Sequence, residues 1–385
     1  KVIQQASEGT ADEVLGLSAD FNIIGQFTMT EPPATLNAGA AYTVLWNNYG
    51  LQGEIPNAKL EFKDGTTWHN IDYKTNPGTD TGIVSNSGSY GWTVPTDVRS
   101  TVCQFRVSDP NNAQATDDTG TFEVRPLISV TAPVGTAKWV IGTQTGNNIV
   151  WGITGPVPTV KILYSKDNGA DLYAYVISPS VLGNSSPFEW NVPVDQDIIT
   201  DHTAGPKAKI KVEDTSLSTV YGLSSLFMVK GSITVTNPNA TSPALTVLTA
   251  QNIEWTTPCT GTCAMGNVKI QFSKTGSAPW TDIATVGFAA SPYTLWAPPI
   301  DSITDNVKAA KVHVEQVING EVADDSDGFE VQGVITLNEP IQSGLFWAVG
   351  STDKVIGWTP TGTFSPITLE YSKDNFVANF NTIAT

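Results

Sequence analysis

The feature that most constrains this 385-residue chain is an internal repeat of about a hundred residues. Four tryptophans keep that spacing along the sequence: Trp46, Trp151, Trp255 and Trp358. A second set recurs downstream in the same frame, each member followed three positions later by a proline: Trp92, Trp190 and Trp296. A fixed period of this kind indicates an array of similar folded units, each long enough to bury a core of its own.

Each unit has the pattern of short β-strands separated by turns. Val160, Ile162 and Tyr164 occupy alternate positions, as in a half-buried strand, and the turn signal Asp167–Gly169 follows them. The 24 prolines and the low charged fraction of 15% suit short strands better than helices. About seven such strands per repeat predict an all-β fold, a tandem array of immunoglobulin-like β-sandwich domains.

The register of the repeat predicts where the units begin and end. Complete domains are expected at 27–127, 128–231 and 232–333, which we call the first, middle and third units. Residues 1–26 match the C-terminal part of such a domain and residues 334–385 match the N-terminal part. We therefore expect the natural protein to continue in both directions. About two or three residues connect consecutive units, which predicts stacked units with restricted hinges.

Charge and hydropathy disfavour two classes of partner. The formal net charge is −17, so phosphate backbones and anionic lipid surfaces should be repelled, and we expect no nucleic-acid partner. The sequence contains no apolar stretch of about 18 residues, so we expect no membrane insertion in this segment.

The repeated tryptophans allow two interpretations, a sugar-binding stripe or a packed core. Because the sets that begin with Trp46 and Trp92 recur in register, and because bulky aromatics dominate sandwich cores, we assign both sets to the core. The other tryptophans follow the repeat less closely and are the candidates for an exposed aromatic platform: Trp68, Trp139, Trp280 and Trp347.

Acidic residues gather before the last strand of a unit and at the end of its first strand. The candidate metal ligands are Asp117, Asp118, Asp324, Asp325, Glu31 and Glu339. Carboxylate oxygens suit Ca²⁺, which takes about six to eight oxygen ligands, whereas solvated surface charge is the alternative interpretation. Ca²⁺ is the one cofactor for which the sequence offers candidate ligands.

The three cysteines do not make a disulfide framework. Cys259 and Cys263 lie in an insertion-like loop, where a local disulfide and half of a metal site are the alternatives. Cys103 aligns with alanines in other units, which favours a buried, inert thiol. Two tripeptides fit the acceptor pattern for N-glycosylation, at Asn184 and Asn239.

Residues suited to catalysis do not form a recognisable set. The three histidines are isolated, and the sequence has no nucleophile elbow, zinc-protease motif or phosphate loop. A glycosidase-type carboxylate pair stays open, because its members need not be close in the chain. We predict that the chain is not an enzyme. Contacts and glycans are instead expected on irregular segments such as Thr256–Asn267.

The template of the unit resembles the immunoglobulin-like repeats of large prokaryotic cell-surface and surface-layer proteins, and it is similar to the immunoglobulin-like domain of fungal wall-assembly proteins. The resemblance rests on the proline-ended first strand, the Ile-x-Trp strand, the Tyr-Ser-Lys-Asp hairpin and the Trp-x-Val-Pro strand. It implies an extracellular location at the cell surface or in the cell envelope, and it supplies no catalytic residues.

Three function hypotheses follow. The first is a structural repeat segment of a large secreted protein that self-assembles into a surface layer, with copies of itself and cell-envelope glycans as partners. The second is an adhesin stalk or a carbohydrate- or protein-binding module. The third is a non-catalytic spacer of a secreted enzyme. Minimal linkers, acidic charge and few cysteines favour the first.

Overall fold

A computed structural model of the chain describes residues 1–3, 9, 15–50, 55–75, 77–200, 205–261, 263, 265–363 and 366–384. The regular structure of these residues is β, apart from one turn of 3₁₀ helix at Phe288–Ala290. None of the helical structure described has the length and hydropathy of a transmembrane span.

Two short strands precede the first unit, and the strands of the unit itself form two sheets. Their bounds are β1 (Val2–Ile3), β2 (Leu15–Gly16), β3 (Gln26–Met29), β4 (Thr35–Asn37), β5 (Ala41–Tyr49), β6 (Asn57–Lys63), β7 (Trp68–Asn70), β8 (Ile83–Ser85), β9 (Ser89–Thr93), β10 (Ser100–Asp109), β11 (Asn112–Asp118) and β12 (Phe122–Arg125). β1 pairs only with β2 in the described residues. One sheet of the unit has the order β3-β5-β9, and in the other β6 lies between β10 and the strands β7 and β8. β10 also pairs with β11 and β12.

The middle and third units repeat this arrangement. The middle unit contains β13 (Leu127–Ala132), β14 (Lys138–Val140), β15 (Asn148–Thr154), β16 (Thr159–Ser165), β17 (Tyr175–Leu182), β18 (Phe188–Glu189), β19 (Lys209–Asp214), β20 (Tyr221–Leu223) and β21 (Met228–Lys230). The third unit contains β22 (Thr234–Asn237), β23 (Leu245–Thr246), β24 (Gln251–Thr256), β25 (Asn267–Ser273), β26 (Thr281–Gly287), β27 (Tyr293–Trp296), β28 (Lys311–Gln316), β29 (Asn319–Asp325) and β30 (Val331–Gln332). Their sheets have the orders β13-β15-β18 with β17-β16-β19-β20, and β22-β24-β27 with β26-β25-β28-β29.

The start of each unit crosses from one sheet toward the other. β3, β13 and β22 pair antiparallel with the second main strand of their unit, and a proline then follows. Proline cannot donate to a continuing ladder, so the chain leaves the sheet there. It continues as β4, β14 or β23, each of which runs parallel to the last strand of the same unit.

Alternating apolar side chains from both sheets fill the space between them. In the first unit, the ring centroids of Phe62 and Trp92 are 4.9 Å apart, and those of Trp92 and Phe105 are 5.0 Å apart in a T-shaped pair. Tyr164 and Trp190 make the corresponding contact in the middle unit at 5.2 Å. Such cross-sheet packing fixes the register of every strand, because a one-residue slip would expose the apolar face.

The segment after the third unit is organised differently. Its strands are β31 (Val334–Glu339), β32 (Gly357–Thr361), β33 (Leu369–Ser372) and β34 (Phe380–Ala384). They form two antiparallel pairs, β31 with β32 and β33 with β34. No strand described in this segment corresponds to β28, β29 or β30, and large apolar side chains such as Leu337 are exposed.

The strand order and the two-layer packing identify the fold. The chain is an all-β protein, a tandem array of immunoglobulin-like β-sandwich domains. The fold class predicted from the hundred-residue period is confirmed.

Candidate functional site

The repeated tryptophans of the three units lie inside the sandwiches. Trp46, Trp151 and Trp255 are 2%, 4% and 3% exposed. Each indole N–H has an acceptor in the same unit; that of Trp151, for example, donates to the carbonyl of Gly183 at 2.8 Å. The second set is equally buried and consists of Trp92, Trp190 and Trp296. The six indoles are buried in the cores of their units, so they offer no free face to a ligand.

Trp358 differs from the other members of its set because it is only half-buried. It lies on β32, which pairs with β31 through the register Leu337↔Trp358. No further strand in the described residues of this segment packs over the indole as β10 packs over the core of the first unit, and this leaves the ring partly exposed.

The four irregular tryptophans do not form one platform. Trp139 is only 6% exposed and packs in a T-shaped pair against Phe227 with centroids 4.7 Å apart, so its proposed exposure is wrong. It takes the place that Leu36 and Leu245 hold in the other units, next to the last strand. Trp347 is 40% exposed.

Trp68 and Trp280 are half-buried, and each packs against a polar side chain of its own unit. The guanidinium of Arg106 lies 4.1 Å from the ring centroid of Trp68, a cation–π contact. Trp280 has the imidazole of His313 at 5.2 Å. Arg106 and His313 hold equivalent positions on β10 and β28, opposite Glu61 and Gln271.

Asp118 and Asp325 contact these same two side chains, Arg106 and His313. Both oxygens of Asp118 accept from Arg106, at 2.7 and 2.8 Å, and these bonds raise the pKa of the guanidinium. Asp325 Oδ1 lies 2.7 Å from Nδ1 of His313. Neither carboxylate is directed at a neighbouring acid.

The other acids of the predicted calcium set lie within units, and three of them bind backbone amides. Asp117 Oδ2 accepts from the amide of Met29 at 2.7 Å, and Asp324 Oδ2 accepts from that of Val235 at 2.8 Å. Glu31 accepts from the amide of Gly120 through both oxygens, at 2.9 and 3.0 Å. These carboxylates join the first strand of a unit to the hairpin before its last strand.

Glu339 stands apart from this group, because it is exposed at the end of β31. In the described part of the chain, no three His, Cys, Asp or Glu side chains converge as a metal site would require. The predicted ligands thus hold corresponding positions in different units and do not converge among the described residues, and calcium binding stays a prediction.

The middle unit shows what replaces the carboxylate bridge. The partner of Val212 across the hairpin is Gly222, where the first and third units have Asp117 and Asp324 opposite their valines. A Cβ on Gly222 would lie 2.6 Å from the carbonyl oxygen of Ile128. In the middle unit, β13 therefore packs directly against the hairpin of β19 and β20, and no carboxylate lies between them at Gly222.

The cysteines occupy two different environments. Cys103 is fully buried, and this burial raises the pKa of its thiol to about 11. Cys259 and Cys263 are joined by a disulfide in the loop between β24 and β25.

The two glycosylation tripeptides differ in accessibility. Asn184 is exposed in the turn after β17. The amide of Asn239 donates to the carbonyl of Thr236 at 2.9 Å, and its oxygen accepts from the amide of Thr241. Asn184 is therefore the side chain that an enzyme could reach without breaking a turn.

The boundary between the first and middle units contains an ion pair. Arg99 Nη1 lies 2.8 Å from Oδ2 of Asp214, whose side chain is fully buried. The second nitrogen, Nη2, donates to the hydroxyl of Ser216 at 3.0 Å. The backbone also approaches closely here, because Gly155 has a φ of +106° and a Cβ on it would lie 2.9 Å from Pro126. A substitution of Gly155 is thus opposed by both conformation and space.

The boundary between the middle and third units carries charged contacts as well. Glu321 on β29 pairs with Lys138 at 2.6 Å and with Lys230 at 3.5 Å. The hydrogen bond from Lys138 is the largest cause of the lowered pKa of Glu321. Asn319 Nδ2 donates to the sulfur of Met228 at 3.7 Å.

The backbone passes between units with little intervening chain. β12 ends at Arg125 and β13 begins at Leu127, so Pro126 alone separates them. β30 and β31 are separated by Gly333 alone. Three residues, 231–233, separate β21 from β22 at the boundary between the middle and third units. One to three residues therefore connect consecutive units, and side-chain contacts lie beside these short connections.

Solved structures of tandem domains are similar to the chain. The three N-terminal domains of the Highly Immunogenic Outer Capsid protein of bacteriophage RB49 match with 12% identity, over 80% of this chain and 99% of that one, at a TM-score of 0.29. Extracellular domains 3–5 of Drosophila OTK match with 11% identity, over 80% and 97%, at a TM-score of 0.27. Titin domains I67–I69 match with 10% identity, over 80% and 98%, at a TM-score of 0.24. No protein-family model matches the sequence, and no curated protein matches it. The fold assignment rests on the strand order described above.

Proposed function

We propose that this chain is a stiff structural segment of a secreted cell-surface protein, and that the protein assembles with copies of itself into a surface layer. The segment transmits force along its length and presents its outer faces to neighbouring copies. It performs no reaction of its own.

One observation carries this proposal, the way the units are joined. A linker of one residue at Pro126, flanked by the Arg99–Asp214 pair, leaves little freedom for one unit to rotate against the next. Flexible tethers in mobile multidomain proteins are longer and rich in glycine and serine. Ordered lattices require components of fixed shape. The short linker at Pro126 supports a fixed arrangement of the first and middle units.

The outer faces support the same interpretation. Aromatic rings that a sugar could stack on are instead covered by charged groups, as Arg106 covers Trp68. The carboxylates of Asp117 and Asp324 are directed at backbone amides of their own units. A disulfide in a loop suits an oxidising compartment, which supports an extracellular location.

Assembly of the purified 385-residue chain tests the proposal. Sedimentation velocity over a range of concentrations should show self-association, and electron microscopy should show ordered sheets or filaments. Monomers at every concentration, together with selective binding on a glycan array, would favour an adhesin stalk instead. Hydrolysis of a polysaccharide by the pure chain would contradict the structural role altogether.

A further inference from the structure

The loop Thr256–Asn267 was expected to face neighbouring molecules, but it contacts the middle unit of its own chain. It joins β24 to β25 and contains the disulfide between Cys259 and Cys263. At the same distance after the repeated tryptophan, the middle unit has Gly155 where the third unit has Cys259. The third unit thus replaces a tight glycine turn with a cross-linked loop.

The tip of this loop binds the backbone of the middle unit. The amide of Thr260 donates to the carbonyl of Val194 at 2.7 Å. A Cβ on Gly261 would lie 3.1 Å from the carbonyl oxygen of Asp195, so the two backbones are in close contact. Pro258 packs beside Gly142, where an added Cβ would lie 3.3 Å from the Pro258 Cβ.

The end of the loop inserts an apolar side chain between the units. Met265 is 1% exposed, and its sulfur occupies the space beside Gly231, where an added Cβ would lie only 2.2 Å away. The carbonyl of Met265 accepts from Gln316 at 2.7 Å, and its amide donates to the carbonyl of Cys263 at 3.2 Å. The disulfide therefore closes the turn that presents Met265 to the boundary.

Met265 belongs to a core that the middle and third units share. The buried apolar residues of the middle and third units form one continuous cluster, and the half-buried Cys259 and Cys263 pack against it. The buried residues of the first unit form a cluster of their own. Both boundaries contain ion pairs, but among the described residues only the boundary between the middle and third units also has a shared apolar core.

We propose that the loop Thr256–Asn267 is a redox-sensitive latch that couples the middle unit to the third unit. With the disulfide intact, Thr260 stays hydrogen-bonded to Val194 and Met265 stays inserted. A dithiol such as dithiothreitol reduces the bond with two electrons and two protons, which yields two cysteine thiols and the cyclic disulfide of the reagent. The freed loop has more conformations to lose when it docks, so docking weakens.

Hydrogen exchange of the whole chain, before and after reduction, tests the latch. The chain has three cysteines, and one is free in the oxidised form, so titration of denatured samples should count one thiol before treatment and three after. Peptides covering Thr260 should then exchange faster by about fivefold, as expected for the loss of one hydrogen bond. Peptides covering Gly155 and Asp214 at the first boundary should keep their rates.

Two variants separate the latch from general destabilisation. The double variant Cys259→Ser, Cys263→Ser should show the fast exchange without reductant and should not respond to it. Because the middle and third units share a core, we expect them to melt in one calorimetric transition. Thr260→Pro removes the donor without changing either cysteine and should split this transition in two, whereas Thr260→Ala should leave it single. If complete reduction leaves exchange at Thr260 unchanged, or speeds exchange equally at both boundaries, the proposal is wrong.

Discussion

Arg99 of the first unit and Asp214 of the middle unit form an ion pair across their boundary, with Nη1 and Oδ2 2.8 Å apart. Asp214 is fully buried, whereas the arginine reaches the surface. A buried carboxylate that loses its charged partner destabilises the fold. Separation of the two units would break this pair, so we expect their contact to contribute to the stability of the middle unit. We expect this ion pair to restrict movement of the two sandwiches relative to each other.

Removal of the arginine should therefore destabilise the array. Arg99→Ala is expected to lower the free energy of unfolding by about 1.5–3 kcal/mol, because the buried carboxylate loses a charged partner. The exposed pair of Lys74 and Asp97 in the same unit provides the control, and Lys74→Ala should cost less than about 1 kcal/mol. Urea denaturation measures both. Equal, small effects would mean that the boundary pair is as solvated as the surface pair.

The carboxylate bridges give a second test. Asp117→Ala should destabilise the first unit by about 1–2 kcal/mol, because the amide of Met29 loses a charged acceptor. Asp118→Ala is the matched control on the neighbouring, exposed carboxylate and should cost under about 1 kcal/mol. Thermal melts of the two variants compare them directly. A larger effect at Asp118 would show that the outer salt bridge matters more than the bridge to the first strand.

The buried tryptophans provide a third test, of the repeat itself. Trp151→Ala should destabilise the middle unit by about 3–5 kcal/mol, the usual result of emptying a buried aromatic site. Trp358→Ala, at the half-buried member of the set, should cost under about 2 kcal/mol. A change below about 1 kcal/mol at Trp151 would mean that its indole contributes little to the core.

Acid should weaken the first unit through Asp64. Partial burial, the largest single influence, raises the pKa of this carboxyl, but hydrogen bonds from the amides of Thr67 and Thr66 and from His69 outweigh it and lower the pKa from 3.8 to about 2. A depressed folded-state pKa gives stability that is present above pH 3.8 and is lost as the pH falls toward 2. Asp64→Asn should flatten the stability profile across this window, and an unchanged profile would assign the acid sensitivity to other groups.

The sequence predicted the features that repeat, because packing inside a sandwich is periodic. Trp46, Trp151 and Trp255 share one buried position, so their register alone was sufficient to place them. Trp139 was assigned to an exposed platform because no tryptophan recurs at its position in the other units. Its equivalents there are Leu36 and Leu245, so the property that recurs is an apolar side chain next to the last strand.

Features that depend on distant partners left no local pattern. The bond from Thr260 to Val194 and the pair between Arg99 and Asp214 each join segments that are far apart in sequence. The predicted calcium ligands illustrate a second limit of sequence patterns. Asp117 and Asp324 hold corresponding positions, and each accepts a hydrogen bond from a backbone amide of its own unit. A sequence pattern cannot distinguish that role from cation binding, and calcium binding stays a prediction.

The radius of gyration in solution tests the central claim, a stiff and extended array, most directly. Units that add roughly 30–40 Å each along one axis imply a radius of gyration of roughly 35 Å or more for the 385-residue chain. A compact protein of the same length would give about 21 Å. Small-angle X-ray scattering at several concentrations, extrapolated to zero, provides the value. A radius near the higher figure that is insensitive to salt would support the account, and a radius near the compact value would contradict it.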